Sequence, residues 1–208
     1  MSLQNKQIKL QRQLLHLQQQ QFHLQQKLLQ KAQHENITKN FKWLDIKANT
    51  AMPNNLINAG INNGPQINIC HANYLDTGTH PGMLSKEGCV ITFGGKIFTK
   101  KNYQVLTGKG EIRWQQKEKL MQLRNRYNYS SPRPMIVFGV QPINSTTISS
   151  LIPLIGGNES SAPAGPLYIC RALIGNQVRV GKVVYNVCNV AWQGKEISLQ
   201  NFQVLFVK

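Results

Sequence analysis

The sequence predicts a mostly β protein: antiparallel β-sheets from two homologous repeats related by a pseudo-two-fold axis, preceded by an N-terminal amphipathic α-helix. Three observations predict it. The first 35 residues contain no Gly or Pro and are saturated with Gln, Leu and Lys, which favour helix at nearly every position. From Trp43 onward the texture changes to short β-branched and aromatic runs punctuated by Gly, Pro and Asn, the pattern of strands and tight turns. Finally, a run of matched blocks recurs at an offset of 99 to 101 residues, and internal repetition constrains a fold more than any single element does.

The arm comes first, over residues 1–40. Leu3, Leu10, Leu17 and Leu24 recur every seven residues. Leu14 and Leu28 complete a heptad seam that Gln7 and Gln21 interrupt. A second column, Ile8, Leu15, Phe22 and Leu29, widens the apolar face beyond a dimer seam. The expectation is a coiled-coil-like arm that forms a homo-oligomer or engages a partner helix through residues 3–29.

The first repeat is placed at 41–108 and the second at 135–208. Gly64-Pro65-Gln66-Ile67-Asn68-Ile69-Cys70-His71-Ala72 is echoed by Gly165-Pro166-Leu167-Tyr168-Ile169-Cys170-Arg171-Ala172. Pro81-Gly82-Met83-Leu84 matches Val180-Gly181-Lys182-Val183, and Cys89 matches Cys188. Gly94-Gly95-Lys96 matches Gln193-Gly194-Lys195, and Asn102 to Leu106 matches Asn201 to Leu205. In each copy the Cys-x-Ala ends a buried strand, the glycines mark turns that a Cβ would forbid, and the closing run alternates as a half-buried strand. Between the copies, 109–134 reads as a basic connector or insertion, with a short exposed helix from Gln115 to about Arg126 that Ser130-Ser131-Pro132-Arg133-Pro134 ends.

The formal net charge of +16 points to an anionic partner such as nucleic acid, an acidic membrane surface or an acidic glycan. The charge is uneven. Residues 1–40 hold six basic residues against one acidic, and residues 109–134 seven against two. Nucleic acid ranks low among the partners, because the arm has no aromatic interleaving for base stacking. No apolar run opens the chain and none approaches a membrane span, so the expectation is a protein without a transmembrane segment, cytoplasmic or exported without a classical signal peptide.

Catalysis needs convergent titratable groups, and two Asp and six Glu spread along the chain form no acid/base pair; the expectation is no enzyme and no cofactor. Cys70, His71, His80 and Cys89 form the one metal-like cluster. It lacks a short Cys pair, and the second repeat has no His, so no metal is expected. Cys70, Cys89, Cys170 and Cys188 are read as structural, by default as reduced, buried thiols. On export, disulfides Cys70 to Cys89 and Cys170 to Cys188 are geometrically possible.

These residues resemble the DM-nine repeat family, which includes mannose-binding lectins and natterin-like proteins. Its repeat opens with a Trp, runs through a Tyr-Val-Cys-Arg-Ala-like strand, a Pro-Gly-Lys turn, a Cys and a Gly-Gly-Lys-Glu-like turn, and closes on Val-Leu. Trp43, Pro53, Gly60, Ile69 to Ala72, Pro81-Gly82, Cys89, Gly94-Gly95-Lys96 and Val105-Leu106 carry the pattern in the first copy. Tyr168 to Ala172, Gly181-Lys182-Val183, Cys188, Gly194-Lys195-Glu196 and Val204-Leu205 carry it in the second, with Trp114 resembling its opening Trp. The resemblance implies that an acidic loop residue and the turn lysine grip sugar hydroxyls, a carboxylate accepting and an ammonium donating. Lys182 matches the lysine, and Met83 takes its place in the first repeat. The acidic position falls at Asn62 and Asn63 in the first repeat and from Glu159 in the second. The implied function is lectin-like recognition of a mannose-type glycan. Two alternatives stand beside it: a coiled-coil scaffold without sugar binding, and an anionic-surface or nucleic-acid binder acting through the arm and connector.

Overall fold

A computed structural model describes residues 7, 11, 13, 39–46, 51–62, 64–126, 151–160 and 165–208. The chain divides into two compact units, Met1–Thr38 and Lys39–Lys208. The helical arm expected over 1–40 lies outside the described residues, apart from helical backbone at Gln7, Gln11 and Gln13 and at Lys39 and Asn40. Among its described residues the second unit is antiparallel β apart from one α-helix and a short 3-10 turn.

The first repeat contributes β1 (Phe41–Ile46), β2 (Asn58–Ile61), β3 (Gln66–Asn73), β4 (Gly78–Ser85), β5 (Gly88–Phe93), β6 (Lys96–Lys100) and β7 (Tyr103–Gly108). Then come β8 (Ile112–Gln116), the helix α1 (Lys117–Arg126), β9 (Ile152–Pro153), β10 (Ile155–Glu159), β11 (Gly165–Ile174), β12 (Gln177–Val184), β13 (Val187–Trp192), β14 (Lys195–Leu199) and β15 (Gln203–Val207). The helix predicted from Gln115 is present, but it is not simply exposed. Leu120 is fully buried against Phe202 and its neighbours, with Met121 and Leu123 packed beside it.

One ladder occurs twice. β3 pairs with β4 through Cys70 opposite Gly82, and β11 with β12 through Cys170 opposite Gly181. β7 lies on the other side of β3, with Val105 opposite Cys70, as β15 lies beside β11 with Val204 opposite Cys170. Trp43 on β1 faces Leu106, and Trp114 on β8 faces Leu205. Leu56 bridges Thr107 where β9 pairs with β15 through Pro153 and Phe206. The matching strand β2 meets β3 as β10 meets β11, with the same irregularity in register. At these strands the offset between copies is 97 rather than 99 to 101, so Asn62 is the counterpart of Glu159. The pairing of Asn158 with Thr79 and Glu159 with Gly78 then joins β10 of the second repeat to β4 of the first.

Two corrections to the sequence reading follow. The cysteines are not reduced thiols: Cys70 is bonded to Cys89 and Cys170 to Cys188, with Cα atoms 5.8 and 6.0 Å apart, separations suited to a disulfide. Each bridge ties the strand bearing Cys-x-Ala to the strand after the next, and sits in its own buried cluster. The second correction concerns the Pro-Gly motif. Pro81-Gly82 and Val180-Gly181 are not turns but lie mid-strand in β4 and β12. A Cβ on Gly82 would stand 2.0 Å from the carbonyl oxygen of Val90, and one on Gly181 1.9 Å from that of Asn189. Close approach of the neighbouring strand selects glycine there. The true turns are Gly94-Gly95 and Gln193-Gly194, whose φ values of 58°, 81°, 45° and 81° belong to a two-residue type I′ hairpin.

Candidate ligand-binding site at the repeat junction

Lys182 sits in the middle of β12, opposite Ile169 on β11 and Asn189 on β13. It is not a solvated turn lysine: its side chain is 3% exposed. A buried ammonium requires hydrogen-bonding or ionic partners, and most of these come from elsewhere in the chain. Lys182 Nζ lies 3.1 Å from Nδ1 of His80 on β4 and 3.6 Å from Oε2 of Glu159 on β10. It also lies 5.1 Å from the centre of the Phe93 ring, a favourable position for a cation.

The donors fix the protonation states. Nζ donates to His80 Nδ1, so His80 is the neutral tautomer carrying its proton on Nε2, which faces Thr77 Oγ1 at 3.1 Å. The Thr77 hydroxyl in turn donates to the Tyr74 carbonyl at 2.5 Å. Burial, and then the Lys182 charge, push the His80 pKa down to about 4. Burial also lowers Lys182, while the carboxylates of Glu159 and Glu196 pull it back toward its ordinary range. Glu196 is held at the rim by the Gly95 N–H, 2.7 Å from its Oε2.

The unfolded chain protonates His80 near its ordinary pKa of 6.5, whereas the folded chain resists until about 4. The contribution of His80 to stability is therefore present above pH 6.5 and is lost as pH falls from 6.5 toward 4. His71, also depressed by burial, acts in the same direction. The urea midpoint is expected to fall between pH 7.5 and pH 5, and less steeply in His80→Gln. A His80 Cε1 proton resonance that titrates near 6.5 in the folded protein would overturn this.

The register places a counterpart of every member of this cluster. Met83 stands for Lys182, Arg179 for His80, Trp192 for Phe93, Asn62 for Glu159 and Ile97 for Glu196. The counterpart carries no carboxylate. Arg179 lies over the Trp192 ring at 4.8 Å and points Nη1 at Met83 Sδ, 4.0 Å away. The Asn62 side chain is bound to backbone: its Nδ2 donates to the Val178 carbonyl at 3.0 Å and its Oδ1 accepts from the Val178 N–H at 2.7 Å. It does for β12 what the backbone of β10 does for β4.

A second pair of matched contacts clasps the repeats together. His71 stacks on Trp43 with ring centres 3.7 Å apart. Its Nδ1 lies 2.7 Å from the Gly156 carbonyl of β10, and its Nε2 faces Gln104 Oε1. In the other copy Arg171 lies over Trp114 at 4.6 Å, donates from Nε to Gln203 Oε1 at 2.8 Å, and reaches the Ala59 carbonyl of β2 at 2.5 Å.

Of the residues singled out in the sequence, the structure brings Lys182 and Glu159 together and places Asn62 in the counterpart cluster; Asn63 lies outside the described residues. Sequence reasoning missed His80, Phe93 and Glu196 as neighbours of Lys182. His80 was weighed only as a metal ligand, and among the described residues no group of three or more His, Cys, Asp or Glu could hold a metal ion. Nor, among the described residues, is any helix long and apolar enough to cross a membrane.

The fold and this junction define a class of small antiparallel β proteins in which a repeated ladder assembles a polar cluster from both of its copies. More narrowly, residues 162–208 match the family model described as the DM9 repeat. That match covers β11 to β15 of the second copy, and the first copy has strands paired in the same way. The crystal structure of the nematode sperm cell motility protein MFP2B is similar in fold, with a TM-score of 0.53 at 13% sequence identity, over 81% of this chain and 46% of that one. The chain thus spans less than half the length of that protein. No curated protein matches the sequence.

Proposed function

We propose that the chain is a non-catalytic, lectin-like module that recognises a mannose-type glycan at Lys182 and Glu159. The observation that carries this is the pairing itself: a lysine and a carboxylate, singled out separately in the sequence, stand 3.6 Å apart at the repeat junction. That separation is longer than a tight ammonium to carboxylate hydrogen bond of about 2.8 Å. A sugar hydroxyl that accepts from Nζ and donates to Oε2 would close it. Access is from the carboxylate side, since Glu159 is 13% exposed against 3% for Lys182. Phe93 supplies an apolar ring beside the ammonium. Two copies arranged about a pseudo-two-fold axis would place the Met83 and Asn62 counterpart on the opposite side of the junction, leaving one lysine and carboxylate site per chain. Self-association through the N-terminal arm would then supply multivalency and offset a weak single site.

The test is calorimetric titration with mannose and a mannose-rich oligosaccharide. Lys182→Met and the double variant K182M/E159N copy what the first repeat already carries at Met83 and Asn62, so both are expected to fold. A hydrogen bond to a charged group contributes about 1.5–3 kcal/mol, so each variant is expected to weaken binding about tenfold or more. Absence of binding by the unmodified protein would make the cluster a lock between repeats and move the function to the arm, as a coiled-coil scaffold.

A further inference from the structure

The two repeats differ where the first leaves an open cleft of about 620 Å³, lined by Asp45, Asn73, Thr79, Lys100, Asn102 and Tyr103 among others. In the second repeat the same place is filled from within the chain. Register makes Val178 the counterpart of Thr79 and Leu199 of Lys100, while Leu173, the counterpart of Asn73, stays exposed. Phe202 corresponds to Tyr103, and α1 seals the position with Leu120, packed with Phe202, Leu199 and Ile174. Among the described residues, one copy therefore has a largely apolar position beside its own helix, and the other a polar one.

We propose that the first-repeat cleft is a ligand site of its own, separate from Lys182, that takes a hydroxyl-rich ligand, a saccharide unit. Its wall is already ordered. Asp45 Oδ1 accepts from Gln104 Nε2 at 2.9 Å, and Gln104 Oε1 is held by His71. The Thr79 hydroxyl donates to Asn73 Oδ1 at 2.5 Å, and Lys100 Nζ lies 4.8 Å from the centre of the Tyr74 ring. Fixed side chains bind with less loss of freedom than mobile ones. The wall holds both donors and acceptors: a carboxylate at Asp45, amides at Asn73 and Asn102, ammonium groups at Lys100 and Lys101 and a phenol at Tyr103. A hydroxyl both donates and accepts, so a ligand with several of them satisfies such a wall. A phosphate would gain from Lys100 and Lys101 but face the Asp45 carboxylate, which is why inorganic phosphate is the control, and an apolar ligand would strand the amides.

The test follows backbone amide resonances of the full chain during titration with mannose, galactose, N-acetylglucosamine and glucuronate, with inorganic phosphate as control. A saturable shift at Asn73, Asn102 and Tyr103 with at least one sugar is expected. It should persist in Lys182→Met, which removes the junction lysine without touching the cleft, and weaken about tenfold or more in N73L/K100L, which installs the residues of the second copy. The Lys182→Met arm separates failure of this site from failure of the junction site. The proposal is overturned if no sugar shifts these amides, if phosphate alone does, if N73L/K100L leaves the shifts unchanged, or if sugar binding emerges only after deletion of residues 1–38, which would make the cleft a seat for the arm.

Discussion

Gly181→Ala is expected to destabilise the protein by more than about 4 kcal/mol, enough to leave much of the chain unfolded at 37 °C, because the whole stability of such a domain is about 5–15 kcal/mol. A Cβ at this position would meet the Asn189 carbonyl oxygen at 1.9 Å and Val190 Cγ1 at 3.0 Å. Neither can step aside. Asn189 is paired with Lys182 on one side and Ser198 on the other, and Gly181 itself is held against Cys170. Relief requires β12 and β13 to part, which also moves Lys182 and the Cys188 bridge. Gly175→Ala is the control. Gly175 sits at a hairpin with φ 58° and open space around it, so a side chain costs only the left-handed backbone strain of about 1–2 kcal/mol. Urea unfolding of both variants measures the contrast, and equal losses would show that backbone conformation rather than strand approach decides the position.

The same glycine shows what the sequence could and could not disclose. The recurrence of Cys-x-Ala, of the glycines and of the closing strand was legible because each block is a strand or turn defined by neighbours close in sequence. Pro-Gly looked like a turn because glycine serves turns most often, and nothing in a linear sequence says which carbonyl stands across a strand. The Lys182 cluster was legible only in part for a related reason. Its closest nitrogen partner, His80, lies 102 residues away in the other repeat, where its counterpart is an arginine, so comparison of the copies pointed away from it. Asn62 and Glu159 were each singled out, but their equivalence rests on the offset of 97 at β2 and β10, which the glycine and cysteine blocks at 99 to 101 conceal. The helix α1 was visible as a run without Gly or Pro, whereas the burial of Leu120 was not, since the charged residues around it dominate the local pattern. The cysteines were misread because four in 208 residues suggest no disulfide scaffold; their matched spacing of 19 and 18 residues was the available signal.

Those bridges carry the other large expected effect. A crosslink closing a loop of this size restricts the unfolded chain by about 3 kcal/mol, so removal of both is expected to cost about 6 kcal/mol, comparable with the whole stability of a small domain. The two should not be equal in consequence. The buried cluster around Cys170 and Cys188 includes Leu120, Tyr168, Phe202 and Phe206, whereas that around Cys70 and Cys89 holds Ala72, Ile91 and Val105. The first repeat has less apolar side chain to fall back on, because it keeps an open polar cleft where the second packs a helix. C70S/C89S is therefore expected to lower the urea midpoint further than C170S/C188S, and a reducing agent to lower it in the unmodified protein by about the sum of the two. Unchanged stability under reduction, together with four reactive thiols in the oxidised preparation, would show that the bridges do not form and return the cysteines to the core as small apolar residues. A larger loss in C170S/C188S would place the centre of stability in the first repeat, and with it the burden of holding β4 in position against Lys182.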